Sequence, residues 1–211
     1  MKKIFTNQSS LPKLTQSGFL KVKIPPNVYD MVLEAYNVLK QIGAKPETVD
    51  IVTENTSMVY HYSQLNRLFI EVQNKLRPIH EWWCGEKLVN SFIYGIRSYR
   101  KGAKLDNHYD WTNSHHVSSI IIVDKDLNKK NDWPLQFQSH DGEWNHICAD
   151  PGEMILYESA KCKHGRPDVF EGNYFNNMFI HYRLKNWKFI GSNLTNPNEV
   201  NPISDPEGFN I

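Results

Sequence analysis

The sequence predicts an α+β domain in which two helices pack on one outer face of a β-barrel. Three observations carry that expectation. Apolar residues recur at helical spacing only in the first third or so of the chain. From Phe92 to Arg183 the chain instead offers short runs of aromatic and β-branched residues. Turn signals, Asp141-Gly142, Pro151-Gly152, Gly165 and Gly172, separate the later runs at roughly 8–12-residue intervals, as in sandwiches and barrels. A length of 211 residues suits one domain with a sizeable core, read as an amino-terminal strand and helices over 1–90, a barrel core over 91–190 and a tail over 191–211.

The elements follow in order. After an extended lead-in, Leu20, Val22 and Ile24 alternate as in a strand, and Pro25-Pro26 end it. Tyr29, Val32, Leu33, Tyr36 and Leu39 share one helical face, which predicts a helix over 28–42 with Asn27 as N-cap and Gly43 as its stop. The polar stretch 45–55 reads as a surface loop. Leu65, Leu68, Phe69, Val72 and Leu76 predict a second helix over 63–76, which Pro78 ends or kinks. Strands are expected over 92–100, 117–123, 135–138, 144–148, 153–157 and 174–183.

Composition excludes several functions. The net charge is +1 with no basic block, which argues against nucleic-acid binding. No apolar run is long enough to span a bilayer. Cys84, Cys148 and Cys162 are odd in number and widely spaced, and no export signal precedes them, so reduced thiols in a cytoplasmic protein are expected. Asp124-Lys125-Asp126 begins like a calcium loop, but Lys129 stands where that loop needs glycine.

The chemistry-bearing stretch is Asn107-His108-Tyr109-Asp110-Trp111. Residues i and i+2 of an extended segment point the same way, so His108 and Asp110 can face one interior point. A second, distant histidine would complete a two-His-one-carboxylate set for a divalent metal with open positions. Alone, a His-x-Asp pair is common by chance. Its context is more specific: an aromatic strand and Gly102 precede it, the apolar run Ser118 to Val123 follows, and Pro151-Gly152-Glu153-Met154-Ile155-Leu156-Tyr157 leads to His164-Gly165.

With Ser98-Tyr99-Arg100-Lys101-Gly102 ahead of the pair, this order resembles the prolyl 4-hydroxylase-type branch of the 2-oxoglutarate and Fe(II)-dependent dioxygenases over roughly 92–183. The resemblance implies a double-stranded β-helix, a jelly-roll or cupin-like barrel, with amino-terminal supporting helices. It implies iron held by His108, Asp110 and His164, with 2-oxoglutarate and O₂ as cosubstrates. It also implies hydroxylation of a C–H bond in a prolyl or other peptidyl substrate. Similar barrels act on free amino acids and other small molecules. A cupin-like metal barrel without 2-oxoglutarate chemistry and a non-catalytic binding module are the rival readings.

The sequence departs from the family at one place. A Lys or Arg is expected nine or ten residues after the last histidine, to hold the far carboxylate of 2-oxoglutarate. That window holds Asn173, Tyr174 and Phe175. Arg183 is the next basic residue on the same strand, so it is the expected charge partner, with Tyr174 and Tyr99 as hydrogen-bonding neighbours; a strand-end surface position explains Arg183 about as well. Arg166 is expected at the rim, against an anionic substrate or solvent. Trp111 is expected as a cleft wall or packing residue. His115 and His116 fall where the family often carries a substrate-contacting arginine, or are plain loop histidines.

Overall fold

Both helices form where the apolar period is helical, and both run beyond the predicted limits. The computed structural model describes residues 11–47, 49–53, 56–60 and 65–186. The start of the second helix at Ser63 and the predicted tail from 191 lie outside them. Helix α1 spans Pro26–Ile42 and buries Val28, Val32, Ala35, Tyr36 and Leu39. Its first residue is Pro26, whose fixed φ suits a first turn with no N–H to satisfy, so the helix begins ahead of Asn27. Helix α2 spans Asn66–Cys84, continuing past Pro78 to a left-handed cap at Gly85. A proline deletes only one ladder bond, to the carbonyl four residues before it. One turn earlier, the Gln73 carbonyl accepts the Tyr182 hydroxyl at 2.7 Å, which ties this part of the helix to the sheet.

Eleven strands are named among the described residues. The large sheet runs β1 (Phe19–Lys23), β9 (Glu153–Tyr157), β6 (Val117–Asp126), β11 (Tyr174–Leu184), β4 (Leu88–Arg100), β3 (Ser57–Tyr60) and β2 (Lys45–Pro46). The small sheet runs β5 (Leu105–His108), β10 (His164–Arg166), β7 (Leu135–Gln138) and β8 (Trp144–Ile147). All pairings are antiparallel. The predicted loop at 45–55 contains the short strand β2, and β3, β5 and β10 are strands where none is expected.

Strand parity divides the apolar residues between two cores. Met178, Ile180 and Tyr182 of β11, with Ile121 and Val123 of β6, pack under α1 and α2. Phe175 and Phe179 of β11, with Ile120 and Ile122 of β6 and Tyr99 of β4, face the small sheet and fill the barrel with Phe137, Ile155 and Tyr157. Burying each such side chain stabilises the fold by roughly 1.5–3 kcal/mol. The arrangement is the expected α+β jelly roll with helices on one face of the large sheet.

Candidate metal centre and its surroundings

Two short neighbouring strands of the small sheet bring the predicted metal residues together. In the β5–β10 ladder, His108 and His164 are direct partners. Their rings lie 4.6 Å apart between centroids. Asp110 follows β5, held by its backbone N–H donating to the Ser159 carbonyl at 3.0 Å. Its Oδ1 stands 3.5 Å from His108 Nε2 and 3.8 Å from His164 Nε2. One donor atom from each of the three residues falls within 4.8 Å of the others, so a single cation could bridge them.

The imidazoles are preset for that role. His108 Nδ1 lies 2.7 Å from the Asp106 carbonyl, and His164 Nδ1 lies 3.0 Å from the Cys162 carbonyl. Each Nδ1–H therefore donates to backbone, which leaves Nε2 with its lone pair aimed at Asp110; such outer bonds fix tautomer and orientation in metal sites. Burial pushes the His164 pKa down to about 4, so the ring is neutral near neutral pH. For Asp110, burial raises the carboxyl, but His108 and the other nearby imidazoles outweigh it and hold it well below the usual range. Asp110 Oδ2 is buried without a hydrogen-bond partner. A buried carboxylate oxygen left unpaired is costly, and a bound cation would satisfy it.

Gly165 is required here by space. A Cβ on it would come 2.5 Å from Asn107 Oδ1 and 2.8 Å from both the Asn107 Cα and the Asp106 carbonyl oxygen. Those backbone atoms belong to β5, so the strand itself would have to move. Gly165→Ala is expected to weaken metal binding at least 10-fold, on the scale of lost outer-shell support, although it touches no ligand atom. Calorimetric titration with Co(II) checks this.

Histidines and aromatic rings line one side of Asp110. His181 of β11 lies inside, with Nδ1 2.7 Å from Ser118 Oγ and 3.9 Å from Asp110 Oδ2. The His115 ring lies tilted against it, 3.8 Å away between centroids. Phe92 and Trp111 stand 5.7 and 6.1 Å from His115, and Tyr94 and Phe179 continue the wall. Burial lowers the pKa of both His115 and His181, so this wall is uncharged near neutral pH. Phe92, Tyr94 and His181 were not singled out as wall residues by the sequence; their inward parity on β4 and β11 was the available signal.

Several other assignments change. His116 is not beside the metal residues: its Nε2–H donates to the Thr112 carbonyl at 2.6 Å and its Nδ1 accepts the Leu184 N–H at 3.0 Å, so it braces the end of β11. Tyr174 lies on the opposite face of β11 from the barrel interior, its hydroxyl donating to Asp124 at 3.1 Å. The parity that puts Phe175 inside puts Tyr174 out. Arg183 sits half-buried at the far end of β11, near His116, whose pKa is lowered mainly by burial and to a lesser extent by the charge of Arg183. Tyr99 is inside the barrel, 0% exposed among the core residues, and accepts a hydrogen bond from Arg97 at 3.2 Å. Arg166 is not at the rim. It is 1% exposed, on the barrel's inner face, with its guanidinium 5.2 Å from the Trp133 ring and 4.9 Å from Phe175.

No protein-family model matches the sequence, and no curated protein sequence matches it either. Solved structures do match the fold. A prolyl-4-hydroxylase from Pseudomonas putida aligns with a TM-score of 0.58 at 12% identity, over 79% of this chain and 94% of that one. An oxidoreductase of the 2OG-Fe(II) oxygenase family from Burkholderia pseudomallei aligns at 0.53 and 14%, over 78% and 84%. EctD from S. alaskensis with bound Fe aligns at 0.51 and 14%, over 80% and 73%. The chain thus has the double-stranded β-helix fold of these oxygenases.

Proposed function

We propose that the protein is a non-haem Fe(II), 2-oxoglutarate-dependent oxygenase whose metal is held by His108, Asp110 and His164. The observation that carries this reading is the preset triad: two Nε2 lone pairs and a buried, unpaired carboxylate oxygen converging on one point. Three protein ligands on one side leave positions open for a chelating cosubstrate and O₂, the arrangement typical of Fe(II) oxygenases. The oxygenase fold of the similar structures supports the same class. Bound iron would supply the oxidative chemistry, while the chain orients its ligands and surrounds the site with packed rings.

The reaction we infer is hydroxylation of a C–H bond, with a prolyl or other peptidyl substrate. The wall of Phe92, Tyr94, Trp111 and His115 supports a substrate part that is apolar and ring-shaped, because proline rings dock well on aromatic faces. The reading is tested by aerobic incubation of the Fe(II)-loaded protein with 2-oxoglutarate. Succinate release is expected to rise with proline-containing peptides, each gaining the mass of one oxygen atom. Succinate release that depends on free amino acids alone would replace the peptidyl assignment. No release with any substrate would overturn the oxygenase reading.

A further inference from the structure

We propose that Arg166 forms a carboxylate-binding subsite inside the barrel, taking the second carboxylate of a short dicarboxylic 2-oxo acid whose other end meets the metal residues. The inference rests on the oxygenase reading and assigns the anchor to a different strand from the one the sequence pointed to.

The observation is an unmatched buried cation. Arg166 is among the largest fully buried side chains. Its Nε donates to the Trp133 carbonyl at 3.1 Å, and its Nη1 is buried with no hydrogen-bond partner. Among the described residues it makes no ion pair. A guanidinium cannot shed its charge, so burial without an anion is costly unless a ligand supplies one. Other interior or edge cations are already matched: Arg97 pairs with Glu47 at 2.6 Å, and Lys125 pairs with Asp132 and Asp150.

Position adds a second argument. Arg166 is two residues past His164 on β10, and although the β5–β10 ladder shifts register between them, its guanidinium lies over Trp133 and Phe175 of the barrel core, so it reaches the barrel interior. Two residues of strand advance roughly 6.6 Å, a span that a short dicarboxylate can bridge between the metal residues and a guanidinium. Phe175 of β11 fills the place where a β11 side chain would otherwise point into the barrel, and the Arg166 guanidinium lies over its ring. The charge arrives from the neighbouring strand. Asn177, next inward on β11, is 0% exposed, and both its side-chain Oδ1 and Nδ2 are unpartnered. It adds a donor to the same interior, and Tyr99 stands on the adjacent strand, in register with Phe175.

The test uses full-length protein loaded with Co(II) under anaerobic conditions and calorimetric titration with two probes. One is 2-oxoglutarate. The other is 2-oxopentanoate, which has the same chain length and lacks the second carboxylate. Wild type is expected to prefer 2-oxoglutarate by 100-fold or more, about two tenfold steps of affinity. Arg166→Met should remove that preference while leaving Co(II) and 2-oxopentanoate binding within 3-fold. Arg166→Lys should retain part of it. Because the methionine replaces an unmatched charge with apolar volume, the melting temperature of the metal-free variant should equal or exceed wild type, which separates lost binding from lost folding. Arg183→Ala should bind 2-oxoglutarate like wild type. An Arg166→Met protein that keeps the preference overturns the subsite and leaves the oxygenase reading intact. A wild type that binds Co(II) but no 2-oxo acid overturns both.

Discussion

Asp110→Asn is expected to lower metal affinity by far more than the 10–100-fold that loss of an outer partner costs, while the metal-free protein keeps its fold. The amide has the same shape but no charge, and one of its two positions would aim N–H groups at the cation. Among the described residues no second carboxylate joins this group: the titratable neighbours that act on Asp110 are His108, His164, His115 and His181, all imidazoles. Metal-induced stabilisation follows from mass action on the folded state, so the rise in melting temperature on adding Co(II) should vanish in the variant. A variant that still gains the wild-type increment would remove Asp110 from the metal site.

Glu47→Ala should cost about 3–5 kcal/mol of stability, the range for breaking one side of a buried pair. Glu47 is 5% exposed and accepts three hydrogen bonds from Arg97, between 2.6 and 3.1 Å. Tyr94 and Ser57 also donate to it. Its removal leaves the Arg97 guanidinium inside the protein without its anion. Burial alone would raise the Glu47 pKa, but the Arg97 charge and these hydrogen bonds outweigh it and lower it below 4.5. A depressed folded-state pKa adds stability that is full above the unfolded value and lost as pH falls through the folded one. Wild type should therefore lose this contribution in acid, below the ordinary carboxylate range, whereas Glu47→Gln should lack that part of the acid dependence. Urea unfolding at a series of pH values reads both effects. A Glu47→Ala protein as stable as wild type at neutral pH would show the pair to be energetically idle.

Most of the large sheet was legible because β4, β6, β9 and β11 are apolar and long enough to carry a pattern, whereas the two-residue β2 and the four-residue β3 were not. Val117 to Val123 and Tyr174 to Arg183 could hardly be anything else. The small sheet was less legible. Strands β5 and β10 have only four and three residues, and they carry Asp, Asn, His and Arg because their inner faces hold a polar site. Helix α2 ran on past Pro78 because tertiary packing outweighed one lost bond, a balance local sequence does not contain.

The candidate metal residues were legible through the order of the motifs and the family resemblance those motifs carry, and His108 and His164 prove to be direct partners on facing strands. The family position for the charge falls on β11, where this chain carries Tyr174 and Phe175, and no local signal marks β10, with Arg166, as the strand that replaces it. Which of His115 and His116 faces Asp110 had no sequence signal either, since parity is undefined in the loop before β6. The Glu47–Arg97 pair spans fifty residues of sequence and had no local signal.

The most direct measurement of the central claim is an anaerobic titration of the protein with Fe(II) and then 2-oxoglutarate, followed by visible absorption. One Fe(II) per chain and a weak charge-transfer band on adding 2-oxoglutarate are expected in wild type, with both lost in His164→Ala. A band of wild-type intensity in His164→Ala, or Fe(II) binding in wild type with no band at saturating 2-oxoglutarate, would contradict the account.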